Sequence, residues 1–151
     1  VKESIFRGLL EVFSQKKHSE ISDYIFHIEE AFVSNNMTIL ARHLKMIFSG
    51  ILPDANESET ETESLMFSII FLTFRLISLK YYAEIKKEKD SMNIDLKIYD
   101  KNFLLSFSFK EDESGLTCEE LTDSEIDNNV IHANFVLCNK KRNIHNYSVS
   151  I

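Results

Sequence analysis

Residues 92–110 read MNIDLKIYDKNFLLSFSFK, a pattern that spells two strands of a sheet. Phe103, Leu105, Phe107 and Phe109 share one parity, while Leu104, Ser106, Ser108 and Lys110 share the other. Successive side chains of a strand point to opposite faces, so a period of two marks a strand with one apolar and one polar face. Residues 93–99 alternate in the same way, and Asp100, Lys101 and Asn102 supply a turn between them.

Upstream, Tyr81 to Lys86 is strand-like and joins the hairpin through the charged connection at 86–91. Before it runs Leu65 to Ser78, apolar nearly all round, which predicts a helix buried on most sides. Residues 53–63 are acidic and hydrophilic. They read as a solvated loop, or as the cap of that helix, where negative charge meets the positive end of its dipole.

The first 52 residues carry three apolar stripes at helical spacing. These run through Ile5 to Phe13, then Ile21 to Phe32 introduced by Ser22 or Asp23, then Leu40 to Ile51 with Thr38 as N-cap and Pro53 as terminator. Downstream, residues 111–129 hold eight carboxylates and few apolar anchors, a loop with a short helix. Val130 to Cys138 is a buried strand, 140–142 a basic turn and 146–151 an edge strand. The fold class is therefore α+β, with a helical part over 1–52 packed on a core over 53–151.

Composition bounds the function. The net charge of −7 runs against a phosphate-binding role, because neutralising phosphates supplies much of the affinity for nucleic acid. The longest apolar run is broken by polar residues and falls short of the roughly 20 apolar residues of a membrane span. No secretory signal pattern opens the sequence, so the expected location is the cytoplasm, or a host cell into which the protein is delivered. Cys118 and Cys138 stand alone and read as free thiols. His18, His27, His43, His132 and His145 show no i, i+4 pairing and read as ordinary polar residues.

A helix, three consecutive strands, a helical stretch and a further strand, with Met92-Asn93-Ile94-Asp95, Phe107-Ser108-Phe109-Lys110 and Lys141-Arg142-Asn143-Ile144 in that order, resemble the α-β-β-β-α-β core of PD-(D/E)XK nucleases. The pattern over about 40–151 is most similar to the nuclease domains at the C-termini of AAA-ATPase-like bacterial proteins. The ATPase part has no counterpart here, since no Gly-rich phosphate loop occurs.

The resemblance implies that Asp95 is the metal-holding aspartate and Lys110 the lysine that activates water or steadies phosphorane charge. It also implies that Ser108 occupies the position of the second metal-holding carboxylate. A Mg²⁺-type ion wants hard anionic oxygens, and a neutral hydroxyl is a poor substitute. Glu111 has the wrong parity to replace it. Glu84 on the preceding strand and Glu63 near the start of the apolar helix are the alternative carboxylates.

The expectation is a catalytically inactive copy, a pseudonuclease that serves as a protein-interaction module within a larger toxin- or effector-type protein. Its partner would be a protein, either a cognate antidote of the immunity type or the remainder of a longer chain. Nucleic acid is a less favoured partner, no membrane is involved and no cofactor is required. The alternative is an active divergent nuclease that cleaves DNA or RNA with Mg²⁺ or Mn²⁺ through Asp95, Lys110 and Glu84. A third reading is an unrelated α+β domain whose motif match is accidental.

Overall fold

A computed structural model describes residues 2–51, 58–109 and 130–150. Four helices, α1 (Lys2–Ser14), α2 (His18–Val33), α3 (Met37–Phe48) and α4 (Glu59–Ser78), precede five strands. These are β1 (Tyr82–Lys87), β2 (Ser91–Ile98), β3 (Lys101–Phe109), β4 (Val130–Cys138) and β5 (Asn143–Ser150). The chain divides into two compact units, residues 1–80 and 81–151. The class is α+β, as the alternating and helical periods imply.

In the helical unit, α2 starts at His18, ahead of Ser22 and Asp23. Its N-cap, Lys17, makes no side-chain cap bond. The cap of α3 is Asn36, whose Oδ1 accepts from the Ile39 N–H at 3.1 Å, so Thr38 lies inside the first turn. Helix α4 begins six residues before the apolar run. Ser58 caps it by accepting from the Glu61 N–H at 3.2 Å, and Glu59 and Glu61 fall in its first turn. Ser58 and Glu61 have the spacing of a capping box, and carboxylates there meet the positive end of the helix dipole. From Glu59 onward the acidic stretch is therefore helix, not solvated loop.

Consecutive buried residues such as Ile69 and Ile70, then Phe74, Leu76 and Ile77, make α4 apolar around most of its circumference. Its buried Thr73 directs Oγ1 to the Ile69 carbonyl (2.8 Å) and lies 3.4 Å from the Tyr24 hydroxyl of α2. Burial raises the pKa of that tyrosine well above the ordinary phenol value.

In the sheet unit the spatial order is β1-β2-β3-β4-β5. The β3–β4 pair is parallel and the other pairs are antiparallel. The β2–β3 connection is tighter than the expected turn over 100–102. Ile98 pairs with Lys101, and Tyr99 takes a left-handed φ of 56°. Lys101 and Asn102 are thus strand residues.

Parity explains that register. Even positions of β2 meet odd positions of β3, so Leu96 opposes Phe103, Ile94 opposes Leu105 and Met92 opposes Phe107, all buried. A slip by one residue would set Asp95 on the level of Phe103 or Leu105, both buried. The apolar face continues into β4 and β5 through Phe135, stacked on Phe107 at 4.9 Å and 11°, and Tyr147, stacked on Phe135 at 5.9 Å. The expected basic turn lies at the β4–β5 connection, where Arg142 has a φ of 50°. Strand β5 begins at Asn143, three residues earlier than its alternation suggested.

Candidate functional site

The polar face of the sheet collects the residues singled out from the sequence. On β1 it presents Tyr82, Glu84 and Lys86. On β2 it presents Asn93, Asp95 and Lys97, and on β3 Leu104, Ser106 and Ser108. Glu84 and Asp95 are directly opposed across the β1–β2 pair. Like charges in that position are unfavourable for the sheet.

Local partners offset the repulsion. The Tyr82 hydroxyl donates to Glu84 Oε2 at 3.1 Å, and Lys86 Nζ lies 3.8 Å from Glu84 Oε1. Lys97 Nζ stands 5.4 Å over the Tyr82 ring. The hydrogen bond from Tyr82 to the Glu84 carboxylate, with the charges of Glu84 and Asp95, raises the Tyr82 pKa above the usual phenol value. The local sum is two carboxylates and two ammonium groups, close to neutral, shared between the edge strand β1 and its neighbour β2. Charged side chains there also discourage pairing with another sheet.

Ser108 is not beside Asp95. It opposes Ser91, whereas Asp95 opposes Leu104. Four strand residues separate the two levels, about 13 Å along β3. The tight connection at Tyr99 sets this offset, because thirteen residues of separation bring two positions together only around a longer loop. Lys110 lies outside the described residues, as do Glu111 and the rest of the acidic stretch. Glu63 belongs to α4 in the helical unit. Among the described residues no three His, Cys, Asp or Glu side chains form a group able to hold a metal ion.

Two features of this face escaped the sequence reading. One cross-strand row runs through Lys86, Asn93, Ser106, Asn134 and Ser148, and the Ser106 hydroxyl donates to Asn93 Oδ1 at 2.7 Å. The next row runs through Glu84, Asp95, Leu104, His132 and Ser150. His132 Nε2 is buried there with no hydrogen-bond partner among the described residues. Parity within β4 already put His132 and Asn134 opposite Ala133, Phe135 and Leu137. Which strand they would pair with was not written locally.

The described helices include none long and apolar enough to cross a membrane. Comparison with protein-family models, curated proteins and solved structures finds no match in any of the three.

Proposed function

We propose that residues 53–151 are a PD-(D/E)XK-like core that has lost its paired metal carboxylates and works as a protein-interaction module of a larger toxin- or effector-type protein. Three features support this reading. An apolar helix is followed by an antiparallel β1-β2-β3 meander and then by a strand parallel to β3, the order of the family core. Asp95 lies on the hairpin strand, as the motif requires. The residue in the second carboxylate position is a serine about 13 Å along the sheet.

That last observation carries the proposal. A divalent ion held at Asp95 would have no carboxylate from β3 beside it, and the local charge is already balanced by Lys86 and Lys97. Freed from holding metal and phosphate, the row of amides and hydroxyls on this face suits recognition of a protein surface through hydrogen bonds. The partner would be an antidote-type protein or the remainder of a longer chain.

The direct opposition of Glu84 and Asp95 favours one other reading. Two carboxylates on directly paired residues, whose strands lie about 5 Å apart, make the start of a Mg²⁺ or Mn²⁺ site, and an active nuclease would use them with Lys110. The deciding experiment incubates the chain with single-stranded and duplex DNA and RNA, in Mg²⁺ and in Mn²⁺, beside Asp95→Ala and Glu84→Ala. The expected result is no metal-dependent cleavage above the variants, with folding verified by circular dichroism. Cleavage abolished by both substitutions would replace the interaction module with the nuclease.

A further inference from the structure

Helix α1 carries two apolar stripes. One faces inward, where α1 packs against α4, with Leu10 fully buried and the Arg75 guanidinium of α4 5.6 Å over the Phe6 ring. The other runs through Ile5, Leu9 and Val12, whose spacing puts them on one side of the helix, and all three are exposed. Gly8 lies on that side too, three residues after Ile5 and four before Val12. Glu3, Arg7 and Glu11 turn elsewhere. Glu3 pairs with Arg7 at 3.0 Å, Arg7 donates to the Ser22 hydroxyl of α2 at 3.1 Å, and Glu11 faces His18 at 3.9 Å. The outer stripe is therefore uncharged from Ile5 to Val12.

Nothing inside the chain requires a glycine at position 8. It sits in the interior of a helix, where glycine is a poor helix former. A Cβ placed on it would meet nothing within 4 Å beyond its chain neighbours and its own helix backbone. Its effect is outward, leaving bare backbone next to the protruding Leu9. A gap beside a knob is self-complementary. When two copies of α1 lie antiparallel about a two-fold axis, Leu9 of each faces Gly8 of the other, and Ile5 of each faces Val12 of the other.

We propose that the outer stripe of α1 is the surface by which two copies of this chain associate, the helices antiparallel and the two-fold axis between Gly8 and Leu9. Each leucine fills the gap left by the other copy's glycine. An isologous contact of this kind uses up its own surface, so assembly stops at two. Antiparallel alignment also sets the positive end of one helix dipole beside the negative end of the other. About two turns of helix make a small contact, so the association is weak and reversible. It does not depend on what the sheet face does.

The test is sedimentation equilibrium of the full chain at about 0.15 M salt, which screens the net charge of −7 on each copy. The expected result is a monomer–dimer equilibrium with Kd on the order of 0.1–1 mM. Val12→Glu, which would bury a charge, and Gly8→Gln, which would fill the gap, should each weaken it at least about tenfold. Met46→Gln, at an exposed apolar position of α3, should leave it unchanged. Gln is the better helix former, so Gly8→Gln should melt no lower than the wild type while it dimerises less. Ile5→Lys should also be monomeric, but mixed with Val12→Glu it should associate, because the introduced charges attract across the antiparallel contact. Three results would overturn the proposal: a chain that stays monomeric up to about 1 mM, a dimer that either Val12→Glu or Gly8→Gln leaves unchanged, or a mixture that associates no better than its components. Val12 is exposed, so Val12→Glu keeps the fold, as circular dichroism should verify.

Discussion

In the sheet unit, Met92, Ile94, Leu96 and Ile98 are buried, while the intervening Asn93, Asp95 and Lys97 reach solvent. In the helical unit the boundary is blurred. Ile5, Leu9 and Val12 follow one another along α1 at helical spacing, and all remain exposed, Val12 by 69%. Thr62, Thr73 and Ser14 are buried in their place. A strand residue has two choices of face, and a wrong choice sets a charge among phenylalanines. A helix turns its residues through a continuous arc, so a hydroxyl that bonds back to its own helix is tolerated inside, as Ser14 does with the Leu10 carbonyl at 2.6 Å. The sheet unit is therefore specified by parity and the helical unit by area.

The strongest way to break that contrast is to cut into the sheet core. Phe107→Ala removes the ring stacked on Phe135, and about 3–5 kcal/mol of stability should be lost in urea unfolding. A loss below about 1 kcal/mol would mean that the aromatic layer is not the core of this unit.

On the helical side, Tyr24 tests whether a buried hydroxyl is tolerated only while neutral. Its pKa is raised by burial, so the folded state resists ionisation that the unfolded chain undergoes near 10.0. The stability tied to its neutral form is complete below that pH. Above it, stability should fall by about 1.4 kcal/mol per pH unit. Tyr24→Phe should remove that share of the alkaline slope in denaturation curves recorded from pH 9 to 11. An unchanged slope would assign the effect to other groups.

Smaller effects are expected at the start of α4 and on the polar face of β2. Ser58→Ala should cost about 1 kcal/mol, because the Glu61 N–H loses its acceptor at the start of α4. Asp95→Asn should be neutral or stabilising by about 0.5 kcal/mol, since it relieves the like-charge opposition with Glu84. A clear loss of stability in Asp95→Asn would show instead that the carboxylate is held by attractive partners.

Much of the sheet was legible because Phe103, Leu105 and Phe107 alternate without interruption, and β4 was bounded correctly at Val130 and Cys138. The helices were legible as stripes but not at their ends. Lys17 gives α2 no side-chain cap to read, and Asn36 competes with Thr38 two residues on. At the site, the closeness of Glu84 to Asp95 depends on register across β1 and β2, and the distance of Ser108 depends on the length of one turn. That turn was misplaced because Tyr99 in a left-handed conformation is not a residue that sequence patterns put there.

The parallel seam between β3 and β4 also bears on the order of folding. Each neighbouring pair on either side of it is a short hairpin whose ends meet within microseconds. The seam pairs residues 28 apart in sequence, from Asn102 with Val130 to Phe109 with Leu137, and must first bear the entropy of closing that separation. The unit should thus assemble as two preformed halves, β1-β2-β3 and β4-β5, whose joining is the slow step. Until they join, each half exposes a raw edge at the middle of the future sheet, where strand addition by another chain competes with the native partner.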